Sequence, residues 1–218
     1  MEARVGGGTK IWTPPSYINA DMVGVPRCSP NGAEIAYSVK RDDGWKYFYI
    51  HTIDSKSEQY YREYNALTGF TSWTDSNNFA FMTYDNDKIL IIKAYGNPSD
   101  ITPEKVENGE RIDVSKYPSL SPNGQQLAFY CRINNKRYIC LLTVGSNTAQ
   151  TLHQVQTRDF CGQSQENTPM WSGDGEWIYF SSSEDGDWDI YRMRPDGSEV
   201  QNLTDDWDTN ELMPALRW

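Results

Sequence analysis

The acidic side chains are the best candidates for a chemical site in this sequence. Two acidic runs, Glu184–Asp189 and Asp205–Asp208, lie near the C-terminal end. A calcium loop uses carboxylates at alternate positions, but it also needs a distal glutamate, which the first run lacks. We therefore predict a hairpin turn at Glu184–Asp189, with a weak cation site as the alternative. No metal site and no cofactor are predicted for the chain.

Two glutamates occupy equivalent places. Glu166 and Glu211 each lie three residues before a proline, Pro169 and Pro214. Two acidic side chains at matching positions would focus a negative potential, which attracts a basic or amine-bearing group. The alternative is that each carboxylate caps neighbouring backbone amides. Both interpretations stay open, and we name Glu166 and Glu211 as candidate ligand-binding residues.

The histidines do not form a catalytic set. The chain has two, His51 and His153, and they fall at non-equivalent positions of the internal repeat described below. Catalysis by a Ser-His-Asp triad needs a nucleophile, a base and an orienting acid in fixed geometry. We therefore predict that neither histidine is catalytic, that the protein has no catalytic residues, and that it is not an enzyme.

The cysteines show no metal-binding spacing, because no two of them form a Cys-x-x-Cys pair. Cys131 and Cys140 bracket a candidate hairpin whose turn is Asn134–Asn135, which places Cys131 opposite Tyr138 and Cys140 opposite Phe129. The two sulfurs would then be diagonal neighbours, a poor fit to disulfide geometry. We predict that all four cysteines are free thiols: Cys28, Cys131, Cys140 and Cys161.

The tryptophans divide into two groups. Trp73 and Trp171 occupy the same repeat position and are predicted to pack in the core. Trp12, Trp188 and Trp207 lie in or beside predicted loops, where an aromatic face can bind a sugar or a partner protein. These three are the aromatic candidates for ligand contact.

Charge and composition exclude several classes of protein. The chain has 218 residues and a formal net charge of −10. A protein that binds the nucleic-acid backbone needs a basic face, and anionic membranes also repel an acidic protein. The 8 Trp and 14 Tyr favour strands over helices. The longest apolar run, Ile89–Ile92, is far too short to span a membrane, and no signal peptide is recognised at the N-terminus.

An internal repeat organises these residues. Three segments align without a gap, beginning at Ser29, Ser121 and Ser172, and a degenerate copy begins at Thr74. The residues preceding these turns, and the start of a fifth copy at Pro214–Leu216, are separated by 45, 47, 51 and 45 residues. Periods of about 40–50 residues with four short strands each are typical of β-propellers.

Each copy has the pattern of four strands joined by turns. In the fourth copy the strands are predicted at 169–171, 177–181, 189–193 and 200–204, separated by turns rich in Gly, Asp and Ser. One such unit cannot bury both of its faces, but stacked units can.

At these residues the sequence resembles the TolB-type β-propeller repeat, a WD-like family. The last copy carries the family pattern most fully, at Pro169, Trp171, Ser172, Asp174, Gly175, Ile178, Phe180, Gly186, Ile190, Tyr191, Asp196, Gly197, Leu203 and Thr204. Gly173 replaces the usual proline, and the second copy departs furthest. The resemblance implies an all-β propeller of four-stranded antiparallel blades.

The resemblance also implies a domain map within one propeller. Residues 1–25 are a lead-in, residues 26–70, 71–117, 118–168 and 169–213 are four repeats, and residues 214–218 are the inner strand of a fifth blade. A predicted outer strand at Thr9–Thr13 and the strand at Met213–Leu216 would meet in a composite or incomplete fifth blade. The alternatives are a fragment of a longer propeller, or pairing with a second copy through terminal edge strands.

The function implied is binding. We expect a non-catalytic scaffold that recognises a protein or peptide, possibly basic in charge, at the mouth of the channel, where Glu166 and Glu211 would lie. The alternatives are a lectin-like propeller that binds glycans, or the accessory propeller of a larger peptidase-like enzyme. No nucleic acid and no membrane insertion are expected. The location is periplasmic or extracellular if the resemblance holds and a signal peptide was removed, and cytoplasmic otherwise.

Overall fold

The computed structural model describes residues 2–5, 8–11, 20–22, 27–29, 32–41, 46–52, 58–61, 66–74, 79–83, 89–92, 99–156, 169–207 and 209–211. These residues form twenty strands and no helix. The prediction of an all-β chain is therefore confirmed. Among the described residues there is no helix long and apolar enough to cross a membrane.

The strands follow one another in chain order with short connections. They are β1 (Glu2–Val5), β2 (Gly8–Ile11), β3 (Ala20–Met22), β4 (Arg27–Cys28), β5 (Glu34–Arg41), β6 (Lys46–Thr52), β7 (Glu58–Tyr61), β8 (Ala66–Trp73), β9 (Phe79–Thr83), β10 (Ile89–Ile92), β11 (Ser99–Asp100), β12 (Lys105–Val106), β13 (Asp113–Leu120), β14 (Gln126–Ile133), β15 (Lys136–Thr143), β16 (Thr148–Val155), β17 (Met170–Trp171), β18 (Ile178–Ser182), β19 (Asp189–Met193) and β20 (Gln201–Asn202).

The strands assemble into successive meandering sheets, which we call blades. Blade 1 has the order β3-β5-β6-β7, with β4 also paired to β5; blade 2 is β8 to β11; blade 3 is β13-β14-β15-β16; and blade 4 is β17 to β20. In blade 3 the short β12 adds to β16 in parallel, and β1 pairs with β2 as a separate hairpin. Neighbouring strands in each meander are antiparallel, as the tight turns require.

The blades are held together face to face. One apolar cluster joins Ile89 and Ile91 of blade 2 to Phe129 and Leu142 of blade 3. A second joins the opposite face of blade 3 to Ile178, Phe180 and other residues of blade 4. Blade 3 thus buries both of its faces through its neighbours, which shows how a chain with 38% hydrophobic residues can form a core.

The turn between the first two strands of a blade depends on glycine. Gly32, Gly124 and Gly175 adopt φ angles of 67°, 71° and 73°, a region that costs other residues more. Beside the turn, the hydroxyl of Ser172 accepts a hydrogen bond from the Trp177 backbone N–H at 2.9 Å. The recurring Ser-x-Asn/Asp-Gly sequence therefore encodes this turn directly.

The cysteine prediction was right about register and wrong about chemistry. Asn134 and Asn135 have positive φ at the turn, and Cys131 lies opposite Tyr138 while Cys140 lies opposite Phe129. Nevertheless Cys131 and Cys140 form a disulfide, with their Cα atoms 6.0 Å apart. The twist of a two-stranded hairpin shortens one diagonal, which brings these Cα atoms within the range that a disulfide spans. Cys28 is a free thiol, and Cys161 lies outside the described residues.

The predicted meeting of the chain ends stays a prediction. The outer strand expected at Thr9–Thr13 overlaps β2, which pairs with β1. The rest of that segment, residues 12–13, lies outside the described residues, as does Met213–Leu216.

Candidate functional site

The candidate site lies at one end of blade 4, where two segments that are distant in sequence come together. The first is the turn between β18 and β19, residues 183–188, and the second is the segment after β20, residues 203–211. We call their meeting place the turn–loop site. It contains the acidic run Glu184–Asp189 and the described acids Asp205 and Asp206 of the second run, together with Trp188, Trp207 and Glu211.

Hydrogen bonds from backbone N–H groups join the two segments. The Trp188 N–H donates to the side-chain oxygen of Asn210 at 3.1 Å, and the Glu211 N–H donates to the Trp188 carbonyl at 2.6 Å. The hydroxyl of Thr209 donates to Oε1 of Glu211. The turn therefore fixes the start of the connection that leads out of blade 4.

Asp189 anchors the base of the site. Its buried carboxylate accepts hydrogen bonds from the Thr204 hydroxyl at 2.6 Å and from the Asn202 amide at 3.1 Å. Thr204 in turn accepts the Ile190 N–H at 3.0 Å, so one hydroxyl links two strands. Burial, followed by the neighbouring carboxylate of Asp185, raises the pKa of Asp189 despite these hydrogen bonds.

Asp185 completes the same network from the turn. Its Oδ2 accepts the Tyr191 hydroxyl at 2.6 Å and the Asn202 amide at 2.5 Å. Desolvation opposes ionisation here, but the hydrogen bonds, that of Tyr191 first, outweigh it and lower the pKa of Asp185. Desolvation and the nearby Asp185 charge raise the pKa of Tyr191, so the phenol remains a donor.

Three carboxylates in this network could also serve a cation. Ligand atoms of Asp185, Asp187 and Asp189 all lie within 4.8 Å of one another. Asp185 and Asp189 already accept hydrogen bonds from Tyr191, Asn202 or Thr204, and these bonds connect the strands of blade 4. The carboxylates are therefore part of a hairpin turn and its hydrogen bonds, and a weak cation site stays the alternative.

The structure separates the predicted contact residues by exposure. Trp207 is 58% exposed, whereas Trp188 is buried, with 7% of its surface exposed, and among the described residues its indole N–H has no hydrogen-bond partner. Glu211 is half-buried, and no group in the described part of the chain is a hydrogen-bond partner of its Oε2. Trp12 and Glu166 lie outside the described residues.

The site is strongly acidic. Residues 183–191 and 202–211 contain eight Asp and Glu residues and no Lys or Arg. Several of the described carboxylates, including those of Asp205 and Asp206, are exposed. Like charges gathered at one end of a blade produce a negative local potential that favours cationic groups.

Sequence reasoning missed two side-chain clusters on blade 4. Nε2 of His153 in blade 3 lies 3.3 Å from the Glu184 carboxylate, and its ring packs on Phe180 at 5.5 Å between centroids. At the other end of the blade the guanidinium groups of Arg192 and Arg194 lie 4.0 and 3.9 Å from the Trp177 ring centroid. The alternation of Arg192 and Arg194 along one strand face was the available signal for the second cluster.

Comparisons with known proteins identify the fold. No protein-family model matches the sequence. An uncharacterized protein of Agrobacterium fabrum, Atu1656, is 37% identical to this chain over an alignment of 106 residues. The match covers 44% of this chain and 33% of the relative. The chain therefore spans about a third of the length of the curated relative that it matches.

The fold is identified by solved structures of low sequence identity. A putative TolB from Agrobacterium tumefaciens superposes with a TM-score of 0.64 at 21% identity, over 85% of this chain and 62% of that one. An oligogalacturonate lyase from Vibrio parahaemolyticus gives a TM-score of 0.64 at 10% identity, over 87% of this chain and 54% of that one. At these identities the likeness shows the fold.

Proposed function

From the premise that this chain has the TolB-type β-propeller fold, we propose that it is a non-catalytic scaffold that binds a basic segment of a protein or peptide at the turn–loop site. The observation that carries this proposal is the acidic sequence of residues 183–191 and 202–211, which contain eight Asp and Glu residues and no Lys or Arg, together with the exposed Trp207 in the second of these segments. An aromatic face beside carboxylates suits Lys and Arg side chains, which contribute both a charge and an apolar stem.

Two features support a binding role over catalysis. The buried acids of the site, Asp189 foremost, are engaged by hydroxyl and amide donors that hold blade 4 together. The histidine nearest to the site, His153, packs against Phe180 and faces Glu184. A general base needs a nucleophile or substrate within hydrogen-bonding reach, and these groups are already committed to structure.

The test uses a short fluorescein-labelled oligolysine peptide and fluorescence anisotropy. We expect binding that weakens as salt is raised, because exposed charges are screened. Trp207→Ala should weaken binding about tenfold, as for a central interface aromatic. Glu211→Gln and Asp206→Asn should weaken it less.

Matched controls separate this site from general attraction to an acidic protein. Glu107→Gln removes an exposed carboxylate of blade 3 and should leave the affinity unchanged. A labelled peptide of serine and asparagine should not bind. Equal affinity in the parent protein, Trp207→Ala and Glu211→Gln would reject the proposal. Trp207-dependent signals on a glycan array would instead favour the lectin alternative.

The disulfide supports an oxidising location. Disulfides persist in the periplasm and outside the cell, whereas cytosolic reductants keep most thiols reduced. The Cys131–Cys140 bond lies within the core between blades 2 and 3. The disulfide therefore supports the proposal that the protein works in the periplasm or outside the cell. Mass spectrometry of protein alkylated in denaturant should find Cys131 and Cys140 unmodified before reduction and modified after it; alkylation of both before reduction would contradict the disulfide and this location.

A further inference from the structure

Among the described residues, the outer edge of blade 4 lacks a strand that blade 3 has at the equivalent place. In blade 3 the short β12 lies alongside β16 in parallel, with Val106 opposite Ala149. The Glu107 N–H donates to the Ala149 carbonyl at 3.0 Å, and both Val106 and Ala149 are buried. The chain thus adds a peptide strand to the edge of one of its own blades, which is the geometry of β-augmentation.

Blades 3 and 4 have the same strand register at their outer edges. The pairing of β20 with β19 repeats that of β16 with β15 at an offset of 51 residues, which relates Thr151 to Asn202. The same offset places Val200, the residue before β20, where blade 3 has Ala149. Ala149 is completely buried, whereas Val200 is 37% exposed. Equivalent edge positions are thus covered in blade 3 and exposed in blade 4.

The backbone at this edge of blade 4 points outward. The Leu203 N–H donates to the Ile190 carbonyl at 2.8 Å, so Leu203 and, two residues earlier, Gln201 face β19. In an antiparallel pair the backbone groups of the intervening residues point away from the partner strand. Those of Val200 and Asn202 therefore point out of the blade, and in the described part of the chain no strand pairs with them. An unpaired edge of this kind can accept an added strand.

The segment that enters blade 4 begins on a different course from β12. β12 belongs to the segment that enters blade 3, between β11 and β13. By the offset of 51, Gln156 corresponds to Lys105 of β12. Gln156 instead lies at the end of β18, where its carbonyl accepts the Ser183 N–H at 2.9 Å. The described residues of this segment thus supply no counterpart of β12.

We propose that the edge at Val200–Asn202 holds the partner peptide as an added parallel strand, with an aliphatic residue beside Val200 and basic residues after it. The parallel direction follows from β12. An aliphatic neighbour would cover the exposed side of Val200, as Val106 lies beside Ala149, and burial of apolar surface is favourable.

Charge accounts for the basic part of the peptide. A strand parallel to β20 runs towards Asp205 and Asp206, which follow the edge in the chain and are exposed. Lysine or arginine after the aliphatic residue is complementary to these carboxylates. This inference rests on the proposed function, because it describes how the peptide that reaches the turn–loop site is held along its main chain.

The test uses the fluorescein-labelled peptide Thr-Val-Thr-Ser-Thr-Lys-Lys-Lys, two methylated forms of it, and fluorescence anisotropy. In β12 the N–H of the residue after valine donates to β16, whereas the Val106 N–H donates to Glu110. Methylating the amide nitrogen of the residue after valine should therefore weaken binding about tenfold, because a main-chain hydrogen bond to the edge is lost. Methylating the valine nitrogen, which would point away from β20, is the matched control and should change the affinity little.

Variants of Val200 test the side-chain contact. Val200→Asn should weaken binding of the unmodified peptide severalfold and leave binding of oligolysine unchanged, because oligolysine has no aliphatic residue for this position. Val200→Ile should retain the affinity for both. The same eight residues in reverse order, with the lysines first, should bind less tightly, because a parallel strand would then carry its lysines away from Asp205.

The outcomes separate this inference from the proposed function. Equal affinity of the unmodified and both methylated peptides, with oligolysine still bound through Trp207, would overturn the added strand and leave the proposed function standing. Failure of both oligolysine and the peptides to bind would refute the two together. A dimer of the free protein that Val200→Asn disrupts, observed by analytical ultracentrifugation, would assign the edge to a second copy and also overturn the proposal.

Discussion

Single hydroxyl and carboxyl groups decide the stability of blade 4 at the residue scale. Thr204 donates to Asp189 and accepts from the Ile190 N–H, so its hydroxyl serves two buried groups at once. The side-chain amide of the nearby Asn202 donates hydrogen bonds to Asp185, Asp189 and the hydroxyl of Tyr191. Some acids of this acid-rich sequence thus form hydrogen bonds within the blade, whereas others lie at its surface.

Thr204→Val tests this role, because valine keeps the shape of threonine and removes the hydroxyl. We expect the free energy of unfolding to fall by about 2 kcal/mol, since a buried carboxylate and a backbone N–H each lose a partner. Thr151→Val, at an exposed strand position, is the matched control and should change stability little. Urea unfolding measures both; equal midpoints for the two variants would contradict the role given to Thr204.

The charge of Glu34 opposes folding. Its side chain is only 5% exposed, its Oε2 has no hydrogen-bond partner within the described ranges, and desolvation raises its pKa above the ordinary 4.5. A raised carboxyl pKa means that the folded state prefers the protonated form. The associated stability is therefore complete below pH 4.5 and is lost as the pH rises through the folded-state pKa.

Glu34→Gln should therefore raise the free energy of unfolding at pH 7 relative to the parent, and the advantage should disappear towards pH 4. Urea unfolding across this pH range measures the difference, with Glu107→Gln as the exposed control. An advantage of the same size at both pH values would show that it does not come from ionisation of Glu34.

At the scale of strands and turns, one glycine fixes how blade 4 meets blade 3. Gly197 and Gly109 share nearly the same backbone conformation, with φ of +84° and +86°. A Cβ at Gly197 would lie 3.1 Å from the Leu152 carbonyl oxygen of blade 3, whereas a Cβ at Gly109 would meet nothing within 4 Å. The pair thus separates backbone strain from crowding between blades.

Gly109→Ala should cost about 1 kcal/mol, from left-handed backbone strain alone. Gly197→Ala should cost about 2–3 kcal/mol, because the same strain adds to a displaced strand β16. Thermal unfolding of the two variants measures the difference. Identical losses would mean that the approach of the turn to Leu152 has no energetic weight.

The disulfide ties two neighbouring strands of blade 3. It closes a short loop, with a sequence separation of 9, so removal by Cys131→Ala/Cys140→Ala should lower the free energy of unfolding by about 2–3 kcal/mol. Cys28→Ala removes an exposed thiol and should change stability little. Denaturant unfolding with and without reductant checks the assignment, because reductant should lower the midpoint of the parent and leave the double variant unaffected.

At the scale of the whole molecule, we expect the N-terminal hairpin to contribute to the stability of the whole chain. Its strands β1 and β2 pair with each other. A two-stranded hairpin alone is marginally stable in water, so it needs a surface on which to pack. We expect deletion of residues 1–14 to lower the melting temperature by about 4–8 °C, the equivalent of about 2 kcal/mol. An unchanged melting temperature, with a monomer in both forms by analytical ultracentrifugation, would favour the fragment alternative.

The strands and turns could be predicted from local sequence patterns. The Ser-x-Asn/Asp-Gly turns and the 45–51-residue period predicted the hairpins and the all-β fold, because positive φ and strand alternation are local properties of the chain. The Asn134–Asn135 turn likewise predicted the pairing of β14 with β15 to the residue. Glu211, Trp188 and Trp207 were correctly placed near loops for the same reason.

What those residues face depends on tertiary packing. Trp188 and Trp207 look alike in sequence, yet one is buried and the other is exposed, because exposure depends on how the segment after β20 folds back over the turn before β19. The twist that joins Cys131 to Cys140, and the contact of His153 with Glu184, also depend on distances between strands or blades. Spacing along a chain determines register and turns, whereas burial and long-range pairing follow from packing that involves the whole chain.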